Sequence, residues 1–289
     1  MNSLQEKLVL GTVQLGLPYG INNQTGKPSE GEAFLILDLC EREGIRYLDT
    51  AESYGESEQI IGSYFLKHPN HHFKILTKFK SNEASLKKQL SSSLERLGVC
   101  GVYGYSYHQF SDVHDLEKKH ELLDLKNGGL IQKIGVSVYT VEELDAAALL
   151  DHIDIIQTPF NLFDNWSLRG PGIRRAKANK KEVHVRSVFL QGLFYRELEL
   201  LPEMLKPLKP ELLRLRELSK QMGLPVNHLA LAYASHFEEI DRIIIGVESQ
   251  RQLMDNLSVQ SQILSPGIID QISSIQIENP KWIDPRAWK

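Results

Sequence analysis

The chain has 289 residues, with 33 basic and 37 acidic side chains and a formal net charge of −4. A chain of this length buries roughly three quarters of its unfolded surface, so it can form a large core. Its ordinary composition excludes collagen-like, mucin-like and wholly disordered chains. Because acidic residues slightly outnumber basic ones, we expect neither nucleic acid nor an anionic membrane as a partner.

The cysteine count and the absence of long apolar runs indicate the compartment. Cys40 and Cys100 are far apart in sequence, which argues against a disulfide framework and fits a reducing environment. The N-terminal segment MNSLQEKLVLG lacks the basic start and apolar stretch of a signal peptide. We therefore expect a cytoplasmic protein. The histidines of HPNHH at 68–72 lack carboxylate or cysteine partners in a ligand pattern, so no metal is expected.

Short β-rich runs alternate with longer amphipathic segments along the chain. The runs are near-continuously apolar, as expected of parallel strands that are covered on both faces. Helical patterns lie between them, and Thr140 is a candidate N-cap. The predicted strands are 8–10, 46–49, 74–78, 102–108, 133–137, 153–157, 183–187 and 242–246, and the clearest predicted helices are 30–43, 86–97, 142–150, 212–221, 226–236 and 266–275.

The spacing of these strands favours a closed barrel. Four predicted strand ends, Asp49, Lys78, His108 and Ser137, are separated by 29, 30 and 29 positions. Successive strand–helix pairs require units of about 30 residues, and eight such units make a (β/α)8 TIM barrel. The alternative is a doubly wound open sheet, which usually carries G-x-G-x-x-G after an early strand. Since that motif is absent, we predict the barrel.

One connection interrupts this regular spacing. Between Ser187 and Arg242 there are 54 residues, including the proline-punctuated stretch LLPEMLKPLKPEL. Such a long loop after strand seven is either a lid or binding loop or a surface excursion that leads into the next helices, and the sequence leaves both open. A C-terminal helix and the tail IENPKWIDPRAWK complete the chain.

Ionisable residues end three neighbouring strands. Asp49, Lys78 and His108 each have a structural explanation when considered alone, but in a barrel their strand ends meet at one mouth. Tyr54 follows Asp49 by five residues and can reach the same mouth. Such a set can donate a proton to a carbonyl oxygen, with the Lys78 ammonium held by Asp49. We expect that ammonium to lower the pKa of Tyr54.

These segments resemble the signatures of the aldo-keto reductases. The similar segments are LDTAESYG at 48–55, KILTK at 74–78, YSYHQ at 105–109, LGTVQLGLPYG at 10–20, GVSVYT at 135–140, QTPFNLFD at 157–164, SVFLQGLF at 187–194 and IIIGVESQRQLMDNL at 243–257. They occur in order from about residue 8 to residue 258. The resemblance implies one barrel domain over 1–289, which binds NADPH without a Rossmann fold and reversibly reduces an aldehyde or ketone.

The resemblance also assigns roles to individual residues. Tyr54 would be the general acid, Lys78 and Asp49 its ion pair, and His108 the group that orients the carbonyl. Ser137 and Gln157 would hold the nicotinamide carboxamide, and the loop at 190–192 would lie along the pyrophosphate. The implied cofactor contacts are Gly11, Thr12, Ser137, Gln157, Arg186, Ser187, Leu190, Gln191, Gly192, Gly246, Glu248, Gln252, Asp255 and Asn256.

Three residues depart from the family pattern. Val138 replaces a common asparagine, Arg186 replaces an aromatic residue that stacks on the nicotinamide, and Glu248 stands where a phosphate-compatible residue is usual. A carboxylate repels a 2′-phosphate but can accept a hydrogen bond from a ribose 2′-hydroxyl, and Arg251 could offset this repulsion. We therefore expect NADP with a weakened preference, and NAD as a usable cofactor.

The partner is expected to be a small carbonyl compound, and the sequence indicates no particular oligomeric state. Specificity is expected in the loops 19–23, 79–82, 110–112 and 160–165 and in the C-terminal tail. Asn22, Asn161 and Asp164 favour a polar, sugar-like substrate. Two alternatives stay open: a nucleotide-binding regulatory subunit, like the potassium-channel β subunits of this fold, and a barrel aldolase with a Schiff base on Lys78. The adjacent Asp49 argues against the aldolase, because a Schiff base needs a neutral amine.

Overall fold

The computed structural model describes residues 4–23, 25–80, 85–259 and 264–288. Eight strands form a closed barrel in which each strand pairs parallel with the next, and the eighth pairs with the first. The prediction of a (β/α)8 TIM barrel is therefore confirmed. The strands, β1 to β8 in chain order, are Leu8–Gly11, Tyr47–Asp49, Lys74–Phe79, Val102–Tyr107, Ile131–Ser137, Ile155–Pro159, Glu182–Arg186 and Arg242–Gly246.

Helices follow the strands and cover the outside of the barrel. The α-helices are Leu4–Lys7, Val13–Gly16, Glu30–Arg42, Ser57–Lys67, Leu86–Leu97, Leu116–Asn127, Val141–Ala148, Trp166–Ala178, Lys209–Met222, Val226–His236, Gln250–Leu257 and Pro266–Ser273. Short 3-10 helices are Phe110–His114, Leu190–Tyr195, Leu198–Leu200, Glu203–Leu208, Pro280–Ile283 and Pro285–Ala287. No helix within the described ranges is long and apolar enough to span a membrane.

The predicted element boundaries are correct where local signals are strong. The strand at 242–246 and the helices at 86–97 and 226–236 have the predicted limits. Thr140 caps its helix as predicted, and its hydroxyl and the Glu143 side chain form a capping box. The strand predicted at 153–157 begins two residues later, because the Ile153 amide donates to the Leu150 carbonyl and so belongs to a turn.

The barrel interior explains how the strands position the site. Buried side chains from six strands form a cluster that is separate from the core between barrel and helices: Val9, Tyr47, Leu76, Tyr103, Ile155 and Ile244. Residues two positions further along a strand share its face. Five such residues, one each from β1, β2, β3, β6 and β8, therefore face the interior at the carboxyl end: Gly11, Asp49, Lys78, Gln157 and Gly246.

The long connection after β7 is compact. It contains three 3-10 helices and two α-helices, and its apolar side chains, including Leu193, Phe194 and Leu205, join the main core. Its first residues lie at the barrel mouth, and the later ones pack outside the barrel. Both interpretations left open by the sequence thus apply, each to a different part of the segment.

Candidate active site

A cleft of about 580 Å³ opens at the carboxyl ends of the strands. The structure brings all four predicted catalytic residues to it, together with all but one of the predicted cofactor contacts. The predicted residues that line the cleft are Gly11, Thr12, Asp49, Tyr54, Lys78, His108, Ser137, Gln157, Arg186, Ser187, Gln191, Gly192, Gly246, Glu248, Gln252, Asp255 and Asn256.

Asp49 and Lys78 form a buried ion pair at the bottom of the cleft. The Lys78 Nζ lies 2.6 Å from Asp49 Oδ2 and also donates to the Thr50 carbonyl at 2.9 Å. Both residues are at most 4% exposed. The Gln157 Nε2 donates to the second carboxylate oxygen at 2.9 Å, so that Asp49 has a partner on each oxygen. Buried charges need such pairing, and this pair is therefore fixed in position.

Tyr54 and His108 lie above this pair. The Lys78 ammonium is 5.2 Å from the centre of the Tyr54 ring, and the Tyr54 and His108 rings meet edge to face with their centres 6.2 Å apart. The His108 Nδ1 lies 3.4 Å from the Ser53 hydroxyl. A reacting oxygen placed between the two rings would thus face two hydrogen-bonding side chains.

The expectation that Lys78 lowers the pKa of Tyr54 is wrong for this structure. Burial, and then the Asp49 charge, raise the pKa of Tyr54 well above its usual value. The physical reason is that burial disfavours the phenolate and the Asp49 carboxylate repels it, and together these effects outweigh the attraction of the ammonium. Burial, followed by the Lys78 charge, lowers the pKa of His108 to about 4. At neutral pH the site therefore holds a protonated tyrosine and a neutral histidine.

The segments after β1 and β7 are joined across the cleft. The Gln191 Nε2 donates to the Tyr19 hydroxyl at 2.8 Å, and the Asn22 Nδ2 donates to the Gly192 carbonyl at 2.5 Å. Arg196 also donates to the carbonyl of Ile21. We call these three contacts the strap.

Leu190 is the predicted cofactor contact that does not line the cleft. Its side chain is fully buried in the core. Its backbone, like that of Ser187 and Gln191, has a positive φ, and these residues form the turn that carries Gln191 and Gly192 to the cleft. Leu190 thus anchors the turn through its side chain.

Glu248 and the following helix form the other end of the cleft. Ser249 caps helix Gln250–Leu257, and the Gln252 Oε1 accepts from the Glu248 amide at 2.7 Å. Burial raises the pKa of Glu248. Arg251 is exposed and does not line the cleft. Its position therefore does not support the expectation that it offsets the repulsion between Glu248 and a 2′-phosphate.

The predicted specificity segments contribute unequally. Only the loop at 19–23 lines the cleft, and within 79–82 residues 81 and 82 lie outside the described residues. Asn161 and Asp164 have structural roles instead. The Asn161 Oδ1 accepts from two following amides, and Asp164 forms a buried double hydrogen bond with Arg169. Neither side chain can therefore select a substrate.

Sequence reasoning missed several residues of the cleft, namely Gln14, Tyr139, Tyr195 and Asn227. Tyr139 could have been found, because it follows β5 by two positions. The Gln14 Oε1 is buried and accepts no hydrogen bond from the part of the chain that the structure describes, as expected of an atom that a ligand satisfies. Tyr195 and Asn227 lie in the long connection after β7, and no sequence motif there marks them as residues of the cleft.

The fold and the cleft define a TIM-barrel protein with its site at the carboxyl ends of the strands. The family model described as the aldo/keto reductase family matches residues 7–277, and the chain belongs to this family. It is 30% identical over 166 residues to aldo-keto reductase YhdN of Bacillus subtilis strain 168, which covers 52% of this chain and 50% of that protein. The chain thus matches about half the length of this curated relative.

Solved structures agree in fold. A Pseudomonas aeruginosa protein described as an aldo-keto reductase has a TM-score of 0.64 and 23% identity, over 90% of this chain and 91% of its own. A protein described as a 2,5-diketo-D-gluconic acid reductase B has a TM-score of 0.72 and 18% identity, over 95% and 89% respectively. At these identities the likeness concerns the fold alone.

Proposed function

We propose that the protein is an NAD(P)H-dependent oxidoreductase that reversibly reduces an aldehyde or ketone to the alcohol. The observation that carries the proposal is the grouping of Tyr54, His108 and the buried Asp49–Lys78 pair at the end of one cleft. These groups suit a reaction in which a carbonyl oxygen gains negative charge and a proton.

The cleft fits a nicotinamide dinucleotide. Its buried Gln14 Oε1 accepts no hydrogen bond from any described residue, and hydrogen-bonding side chains line its length. When bound, the nicotinamide supplies a hydride. Ser137 would hold the carboxamide end, with the turn at 190–192 along the pyrophosphate and Gln252 and Asn256 at the adenosine end. Gly11, Thr12, Ser187, Gly246 and Asp255 would complete the binding surface.

The residues of this chain provide proton transfer and orientation. Tyr54 is protonated at neutral pH because burial raises its pKa, so it can donate its proton to the carbonyl oxygen. His108 is neutral and offers a hydrogen bond to the same oxygen. Lys78, fixed by Asp49 and Thr50, supplies a positive charge that stabilises the phenolate left after the transfer. Gln157 holds Asp49 in position.

We further propose NADP(H) as the main cofactor, with NAD(H) usable, and a polar, sugar-like carbonyl substrate. Glu248 at the cleft weakens the preference for a 2′-phosphate, since Arg251 does not reach it. The tyrosine and asparagine side chains of the loop at 19–23 support a polar substrate.

The test is carbonyl-dependent oxidation of NADPH and NADH by the wild type and the Tyr54→Phe variant. Loss of the phenolic proton should lower turnover by about 100-fold with the dissociation constant for NADPH unchanged. Tyr139→Phe is the matched control, because Tyr139 lines the same cleft and its ring contacts Arg186, whereas the ring of Tyr54 contacts Lys78. Wild-type rates in Tyr54→Phe would overturn the role of Tyr54. Tight cofactor binding without turnover of any aldehyde, ketose or nucleotide sugar would instead indicate a regulatory subunit.

A further inference from the structure

Arg186 is a cation in the cleft that forms no ion pair within the part of the chain that the structure describes. Its Nη2 donates to the Val138 carbonyl at 3.0 Å, its Nη1 lies 3.5 Å from the Ser187 hydroxyl, and its guanidinium stacks on the Tyr139 ring at 4.3 Å. None of these groups is charged. The Asp284 carboxylate is near enough for the Arg186 charge to lower its pKa, but Asp284 forms its hydrogen bonds with Arg286. A half-buried guanidinium without a counter-ion is favourable only where an anion can reach it.

A second arginine that contacts Tyr139, Arg286, does have an ion-pair partner. Arg286 stacks on Tyr139 at 3.4 Å, but its guanidinium forms a double hydrogen bond with Asp284. It is exposed and does not line the cleft. Two arginines therefore contact one aromatic ring. Arg286 is paired with Asp284, whereas Arg186 faces the cleft and forms no ion pair with any described residue.

The position of Arg186 places it at the reacting end of the cleft. It ends β7, and it lines the cleft together with Tyr54 and His108. Burial dominates the pKa of both of these groups, but the Arg186 charge also acts on each and lowers it. The Asp49–Lys78 pair has no net charge, so Arg186 gives this end of the cleft a net positive charge.

We propose that Arg186 is a specificity-determining residue that binds an anionic group, a carboxylate or a phosphate, on the carbonyl substrate. The planar fork of guanidinium N–H groups matches two oxygens of either anion. Contact with the Tyr139 ring and the Val138 carbonyl fixes the plane of the fork. The inference rests on the proposed carbonyl reduction, and it narrows the substrate class to anionic aldehydes or ketones.

The experiment compares matched substrates that differ in one charge: 4-carboxybenzaldehyde with its methyl ester, and glyceraldehyde 3-phosphate with glyceraldehyde. In the wild type, we expect kcat/KM for at least one anionic member to exceed that of its neutral partner by about tenfold or more. Arg186→Met should lower that value by about 30- to 100-fold, far more than it lowers kcat/KM for the neutral partner, so that the preference within the pair is lost. Arg186→Lys keeps the charge and should recover part of the preference. Arg251→Met, at an exposed position outside the cleft, should keep all of it.

A binding measurement separates this inference from the proposed function. Calorimetry of 4-(hydroxymethyl)benzoate and of inorganic phosphate, with NADP⁺ present, gives affinities that need no turnover. Anion binding that Arg186→Met abolishes would support the inference even if no aldehyde were reduced. Equal kcat/KM within both pairs, together with anion affinities that Arg186→Met leaves unchanged, would overturn it while leaving carbonyl reduction intact.

The second possible source of the anion is the dinucleotide itself. The dissociation constant of NADPH distinguishes the two sources. If the anion belongs to the substrate, Arg186→Met should change this constant by no more than about threefold. If Arg186→Met weakens NADPH binding by about 30- to 100-fold and leaves the substrate preference unchanged, then Arg186 binds a cofactor phosphate and the inference is wrong.

Discussion

Gly16 and Tyr54 are in backbone contact, and no side chain fits between them. A Cβ atom built on Gly16 would overlap the Tyr54 carbonyl oxygen, and Gly55 faces the Gly16 carbonyl in the same way. The turn that presents Tyr54 therefore rests directly on the short helix Val13–Gly16. Its position depends on the absence of a methyl group at residue 16.

Gly16→Ala should consequently displace Tyr54 as well as destabilise the fold. Overpacking of this kind costs about 1–3 kcal/mol, and the displacement should lower kcat more than it raises KM. Thermal unfolding and steady-state kinetics measure the two effects. The control is Gly31→Ala, at an exposed helical position where the nearest atom to a Cβ would be the Ser29 Oγ at 3.9 Å, and this variant should keep full activity. Wild-type kcat in Gly16→Ala would show that the Tyr54 turn tolerates the shift.

Removing the Lys78 ammonium should destabilise the fold, because the Asp49 charge then stays buried without its partner. We expect Lys78→Met to lower the free energy of unfolding by about 3–5 kcal/mol, since it leaves a carboxylate buried without its cation. The double variant Asp49→Asn with Lys78→Met should recover most of this loss, because no charge is then buried. Neither variant should regain turnover. Denaturant unfolding at neutral pH tests this, and an equal loss in both variants would contradict the pairing.

His108 should make stability depend on pH below neutrality. Burial, then the Lys78 charge, lower its pKa from about 6.5 to about 4, so the unfolded state binds the proton more readily. Its contribution to stability is present above pH 6.5 and is lost as the pH falls towards 4. Each pH unit in this window should cost the wild type up to about 1.4 kcal/mol more than His108→Gln. Parallel stability curves for the two proteins would place His108 in contact with solvent.

Glu248 should influence the choice of cofactor through its charge. Glu248→Ser should tighten NADPH binding by about tenfold, equivalent to about 1.4 kcal/mol, while NADH binding stays level or weakens. Glu248→Gln keeps the shape and should reproduce the gain if charge is the cause. Arg251→Ala is the control expected to change neither constant, because Arg251 is exposed outside the cleft. An unchanged NADPH to NADH ratio in Glu248→Ser would show that the carboxylate points away from the dinucleotide.

The sequence predicts those parts of the molecule in which strands recur at a regular spacing and side chains alternate between the two faces of a strand. Asp49 and Lys78 share a strand face with interior apolar residues, so their meeting at the mouth follows from strand spacing and alternation. Asn161 and Asp164 were misinterpreted because their local hydrogen bonds, to nearby amides and to Arg169, leave no trace in the pattern. The stacking of Arg186 and Arg286 on Tyr139 joins residues about 50 to 150 positions apart, which only the folded chain reveals.

The strap has a consequence for the timing of a catalytic cycle. Its three hydrogen bonds join residues 170 or more positions apart, and two of them connect residues that line the cleft. A dinucleotide bound beneath the strap would leave only after these bonds break, and such opening steps commonly limit turnover. We therefore expect reactive carbonyl compounds of different structure to share one maximal rate, set by departure of the oxidised dinucleotide, and to differ only in the concentration at which they reach it.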